Sequence, residues 1–206
     1  GRAVESSSIQ VNSKEYTMAE GATEFKVVNG AVVAGAEIVL LEALYVNNVD
    51  VLTTPDYTVQ CGSGTAVYDP DTNTLTLRNA TITEGYEVYW EEPCGIYAKG
   101  KLTICLEGAS TVVRENASFY NSVFMDGDLT ITGSGSLTAK GSHAGISAEN
   151  LTVTGGTVDG IGEDEYGIYT DGLTVNGGTL NGRGGSHGIR IIGNLTVNSG
   201  TVDGAG

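Results

Sequence analysis

The chain has 206 residues, 40% of them hydrophobic, with 31 Gly against 3 Pro and one Trp. That mix excludes a disordered chain and an assembly of long helices, and it suits many short strands joined by tight corners. Ten Lys and Arg against 25 Asp and Glu leave a net charge of −15, which repels nucleic-acid phosphates and anionic membrane surfaces alike, so neither is expected as a partner.

In chain order, Gly1 reads as the remnant of a cleaved tag, and an export signal would precede it. The longest apolar region, 31–46, is broken by Glu37 and Glu42, so no membrane insertion is predicted. Residues 1–74 carry no repeat and are predicted to form an N-terminal β cap with the first strands. Within them Tyr45 to Val51 reads as a hairpin around Asn47-Asn48, and Asp69-Pro70-Asp71-Thr72 as a type I turn. Cys61, Cys94 and Cys105 have no metal-ligand spacing, and their odd number leaves at least one thiol unpaired in a monomer. Buried free thiols are expected, with any pairing left open.

From residue 75 to 206 the sequence repeats. Leu-Thr-[Leu/Ile/Val] starts at Leu75, Leu102, Leu129, Leu151, Leu173 and Leu195, at spacings of 27, 27, 22, 22 and 22. Two series keep step with it: Ile96, Val123, Ile146, Ile168 and Ile189, mostly in Gly-Ile segments, and Ile82, Val112, Leu137, Val158, Leu180 and Val202. Each period therefore holds three short apolar–polar alternations separated by Gly. Alternation puts Leu151 and Val153 on one face and Thr152 and Thr154 on the other. One period cannot bury its own apolar face, so successive periods must stack along parallel ladders about 4.8 Å apart. The predicted fold is all-β: a right-handed parallel β-helix, a three-sided solenoid of about 22 residues per coil over 75–206, its hand set by the preference for right-handed crossovers. The leucine-rich repeat shares the period but needs an Asn-bearing core motif and a helical side, and neither is present. Gly206 follows directly on a third strand. End-to-end self-association or a further C-terminal portion is expected to cover that open edge.

The stretch Leu44 to Ile82, above all GTAVYDPDTNTLTLRNATI, followed by GIYAKGKLTI and the later LTVTGG turns, resembles the β-helical carbohydrate-binding proteins of gut and cellulolytic clostridia. The resemblance spans roughly residues 44 to 206 and rests on scaffold residues. It implies a protein that is secreted or held at the cell surface, a polysaccharide ligand of the polygalacturonate type, and an association with calcium. No ligand-binding motif of that family maps onto this chain residue by residue.

The two longer periods place their extra residues between the third strand of one and the Gly-Ile strand of the next, so the insertions line up along one edge. They carry Tyr86, Tyr89, Trp90, Glu91 and Glu92, then Phe119 and Tyr120. Sugars stack their C–H faces on aromatic rings while carboxylates take the hydroxyls, which makes this edge the carbohydrate-binding candidate. Tyr97 and Phe124, predicted outward in the neighbouring row, extend it. The same rings could instead fold back as a lid over the strands. Tyr169, in the same row, reads as a structural ladder residue.

Asp159, Asn181 and Asp203 occupy equivalent outward positions of successive periods, and Glu163, Asp164 and Glu165 follow one another in a loop. Oxygen ligands at that spacing suit Ca²⁺, with Asp159, Asn181, Asp203, Glu163 and Asp164 as candidate ligands and an Asx ladder on a solvated acidic face as the other reading. An acidic polysaccharide would then need Ca²⁺ between its carboxylates and those of a protein at −15. Asp69, Asp71 and Asn73 open like an EF-hand, but Thr74 and Ala80 stand where that motif needs Gly and Glu.

Lyases and pectinases also use parallel β-helices, yet no carboxylate pair here supplies an acid and a base. His187, Arg183 and Arg190 are the residues nearest to such chemistry, with His187 read as a loop residue. The expectation is a non-enzymatic protein that binds plant or mucosal polysaccharide, against the alternatives of a polysaccharide lyase or pectinase-like enzyme and of a structural or adhesive surface protein. The outward Thr column, Thr76, Thr103, Thr130, Thr152, Thr174 and Thr196, follows from the strand preference of Thr and needs no ice-ordering role.

Overall fold

The computed structural model describes residues 41–87, 93–113 and 119–206, the last without the Phe119 side chain, and four strands nearer the N-terminus. The chain is all-β, with two single-turn 3-10 helices, Val51–Thr53 and Pro55–Tyr57, and no α-helix among the described residues. Near the N-terminus β1 (Ser8–Val11) pairs antiparallel with β2 (Lys14–Thr17), and β3 (Phe25–Val28) with β4 (Ala31–Ala34). From residue 43 onward a nearly closed, barrel-like sheet takes in every remaining strand.

Its first part is antiparallel. β5 (Ala43–Val46) and β6 (Val49–Asp50) form the expected hairpin, with Asn47 and Asn48 at φ 53° and 62°, the left-handed pair that a two-residue hairpin turn requires. β7 (Thr58–Cys61), β8 (Gly64–Asp69) and β9 (Thr74–Arg78) follow as a meander, its second turn held by the Asp71 N–H donating to Asp69 Oδ1 at 2.9 Å.

The rest pairs in parallel, in three rows. The first row holds β11 (Ile96–Lys99), β14 (Phe119–Asp126), the middle of β16 (Ser136–Val153), the start of β18 (Tyr166–Val175) and β20 (His187–Ile191), with β5 added antiparallel beside β11. The second holds β9, β12 (Leu102–Glu107), β15 (Leu129–Gly133), the ends of β16 and β18, and β21 (Leu195–Val197). The third holds β10 (Thr81–Ile82), β13 (Ala109–Val112), the start of β16, β17 (Thr157–Gly162), β19 (Thr179–Gly184) and β22 (Thr201–Ala205).

The sequence repeat is the register of these rows. Ile96 pairs with Val123, then Ile146, Ile168 and Ile189; Leu102 pairs with Leu129, then Leu151, Leu173 and Leu195. Two steps differ from the expected alignment. Leu75 lies beside Ile104 rather than Leu102, and Leu137 beside Ser110 rather than Val112. A slip of two residues keeps every side chain on its face, so the hydrophobic pattern cannot forbid it. At the first of these steps the outer face selects the register: Arg78 pairs with Glu107, and its Nε donates to Glu107 Oε2 at 2.6 Å.

Leu129, Ile131, Leu151, Val153, Leu173 and Val175 form the core and are at most 1% exposed. Leu195 and Val197, expected inward in the same column, are 52% and 48% exposed, because β21 is paired on its β18 side and no described strand lies on its other side. Gly178 at the corner between the second and third rows shows why the turns keep Gly: its φ is 78°, and an added Cβ would sit 2.6 Å from the carbonyl oxygen of Gly156 one period earlier.

Candidate functional site

Two aromatic clusters line the outer side of the first row. In the first, β5 lies antiparallel on β11 so that Tyr45 is opposite Tyr97. The segment after β10 folds back: Tyr86 and Cys94 each donate a backbone N–H to the other's carbonyl at 2.9 Å. Tyr86 stacks on Tyr45 with centroids 3.6 Å apart and planes 12° apart, lies 5.7 Å from Tyr97, and Tyr97 lies 5.8 Å from Phe124. Burial first, and then the hydrogen bond with Tyr86, push the Tyr45 phenol above its ordinary pKa. Tyr97 is only 6% exposed and Cys94 is buried beneath the same rings. Ring faces that cover one another offer little to a ligand, so around Tyr86, Tyr97 and Phe124 the geometry is that of a lid. Tyr89 and Trp90 lie outside the described residues, as does the side chain of Phe119, whose backbone pairs with Gly141.

The second cluster begins with a bulge. Phe119 pairs with Gly141 but Asn121 with Ala144, so β16 carries one residue more than β14 over this step, and His143 comes to stand beside Tyr120. Their rings stack at 4.6 Å and 5°. Tyr166 stands perpendicular to His143, at 5.3 Å and 89°, and forms an open pair with Tyr169 at 5.2 Å and 33°. His187 lies 5.8 Å from Tyr166, and Arg190 pairs in register with Tyr169, exposed and with no acidic partner among the described residues. Tyr166 and Tyr169 are half-buried, so part of each ring meets water.

Polar groups surround this pair. His143 Nδ1 is 3.0 Å from Oδ1 of the buried Asn121, and its Nε2 is 3.5 Å from Glu165 Oε2. Arranged this way, the site offers aromatic surface for the C–H face of a sugar, with a carboxylate, imidazoles and a guanidinium for its hydroxyls.

Of the expected aromatic edge, then, Tyr86, Tyr97 and Phe124 come together as the lid, while Tyr120 joins the second cluster. The sequence reading leaves out His143 and Tyr166, names Glu165 only as part of the acidic loop with Glu163 and Asp164, and assigns Tyr169 and His187 to structural roles. A signal was present: a ring stands two or three residues ahead of the core position in four successive periods, Tyr120, His143, Tyr166 and His187.

The acidic column is where its spacing placed it, with Asp159 beside Asn181 and Asn181 beside Asp203. Asn181 Nδ2 donates to Asp159 Oδ1 at 2.7 Å. Asn150 donates likewise to Asp128, at 2.8 Å, and Asn198 to Asn176, at 2.7 Å, so the column belongs to a set of Asx ladders. In this arrangement Asn181 turns its amide N–H toward the carboxylate of Asp159. In the adjoining loop Glu163 forms an ion pair with Lys140 at 2.8 Å, and Asp164 is exposed. Among the described residues no three His, Cys, Asp or Glu side chains are grouped to hold a metal. Arg183 borders the groove at Asp159 and Asn181, apart from the ring cluster that holds His187. No protein-family model, no curated protein and no solved structure matches this chain.

Proposed function

We propose that this protein is a right-handed parallel β-helix, secreted or held at the cell surface, that binds a plant or mucosal polysaccharide without transforming it. Support for the fold comes from three rows of parallel strands whose registers advance by one sequence period of about 22 residues. The observation that carries the function is the open Tyr166–Tyr169 pair ringed by His143, Glu165, His187 and Arg190. Aromatic surface beside mixed hydrogen-bonding groups is what a sugar ring needs, and a row along the strand stack gives a polymer room to run. This reading moves the binding centre two strands along the row from Phe124, the far edge of the lid, and it needs no cation.

A glycan array with the native protein and with the Tyr166→Ala/Tyr169→Ala variant tests it. Native binding to a polysaccharide, weakened about fivefold or more in the variant, is expected if each ring contributes ~0.5–1.5 kcal/mol. Native binding that survives in this variant and is lost on triple alanine substitution at Tyr89, Trp90 and Tyr120 would return the site to the insertions. A blank array with native protein would leave the structural or adhesive role in its place.

A further inference from the structure

We propose that His143 is a proton-operated latch for Glu165: protonated, it holds the carboxylate against its own ring, and neutral, it releases the carboxylate toward the Tyr166–Tyr169 surface. The bearing on glycan binding rests on the function proposed above; the latch itself does not.

Asn121 Oδ1, 3.0 Å from His143 Nδ1, has lone pairs and no proton, so the proton of that contact belongs to Nδ1. Asn121 is 3% exposed, so water does not readily replace the imidazole there. With Nδ1 protonated, a neutral imidazole has a bare lone pair on Nε2, and Nε2 points at Glu165 Oε2 from 3.5 Å. Two acceptors then face each other. A second proton turns that opposition into a charge-assisted hydrogen bond, and its loss undoes it.

The surroundings let one side chain move while the rest stays put. The His143 ring is stacked on Tyr120 and packed edge-to-face with Tyr166. The Glu165 backbone is pinned, its carbonyl accepting from the N–H groups of Ser186 and His187 at 3.0 Å each, while its side chain is 49% exposed. The titratable groups facing His143 are Tyr120 on β14, Tyr166 and Tyr169 on β18, and Glu165 in the preceding turn, with His187 of β20 beyond Tyr166. In the same turn Glu163 is engaged by Lys140 of the His143 strand, and Asp164 is exposed. Among the described residues Glu165 is therefore the one carboxylate that changes hands with the proton on the ring. Since it directly precedes Tyr166, its release places an acceptor where sugar hydroxyls would lie against the rings.

The chain has two histidines, so both imidazoles can be followed by NMR and assigned with His187→Gln. The Glu165 side-chain carboxyl carbon is expected to show an inflection at the His143 midpoint in native protein and none in His143→Gln. Glu165→Gln is expected to lower the His143 midpoint measurably, since it removes an adjacent opposite charge, and to leave His187 unmoved. A His143 midpoint unchanged by Glu165→Gln, or a Glu165 carboxyl blind to His143, would overturn the latch. A blank glycan array with the inflection present would instead overturn the glycan reading and leave the latch standing.

Discussion

Cys105 stands half-buried on the outer face between Thr76 and Thr132, whereas Cys61 lies in the core and Cys94 under the tyrosine lid. Burial pushes the Cys61 thiol up to about 11, a hydrogen bond from the Ala66 backbone offsetting it in part, so almost none of it is thiolate at pH 8. An aromatic disulfide reagent at pH 8 is therefore expected to titrate one thiol of the folded protein quickly, none in Cys105→Ser, and all three in guanidinium. Two fast thiols in the native protein would mean that the lid over Cys94 stands open. The sequence made free, buried thiols the expected state, although the alternation of Leu102, Thr103, Ile104 and Cys105 already puts Cys105 on the outer face. What it could not give is the neighbour: the two-residue slip sets Cys105 beside Thr76, where the tripeptide series alone would have set it beside Arg78. The same limit applied to His143, whose place beside Tyr120 depends on a bulge that no periodicity records.

At the scale of strands, the 22-residue spacing was legible because it couples Leu, Thr and Gly in fixed order, and the corner Gly residues at φ 77°, 78° and 94° keep that order in the backbone. What alternation left open was register between strands of unequal period, where polar pairs such as Arg78–Glu107 contribute the choice. The Asx ladders add to it along the stack, each amide donating to the acceptor one period back. Asn181→Asp removes the donor and stacks three carboxylates, at Asp159, position 181 and Asp203, about 4.8 Å apart. Like charges opposed across a ladder cost up to about 1 kcal/mol, and the lost hydrogen bond a similar amount. Thermal unfolding of the variant is expected several degrees below native at low salt, with the loss recovered in millimolar Ca²⁺, since that column then offers oxygen ligands alone. The native protein is expected to show no such calcium response. A native melting temperature that rises with calcium as steeply as the variant's would favour the metal reading of this column.

For the whole molecule, stacking makes the same motif residue matter differently according to what covers it. Leu151 sits between Leu129 and Leu173 and is 1% exposed; Leu195, at the same place in its period, has Leu173 on one side and is 52% exposed. A carboxylate at position 151 would lie in the core with no counter-charge, at a cost of several kcal/mol against a total stability of about 5–15 kcal/mol, and it would interrupt the column on both sides. At position 195 the carboxylate can turn to water and leaves the column below it intact. Leu151→Asp is therefore expected to abolish the cooperative transition seen by circular dichroism. Leu195→Asp is expected to fold, with a midpoint within a few degrees of native, and both proteins to run as monomers in light scattering. If instead native protein is a dimer and Leu195→Asp is a less stable monomer, the open side of β21 is covered in solution by a second copy, and the end-to-end association expected from the sequence is its explanation. If Leu151→Asp folds as well as native, the continuous core inferred from the three parallel rows is wrong, whatever the ligand proves to be.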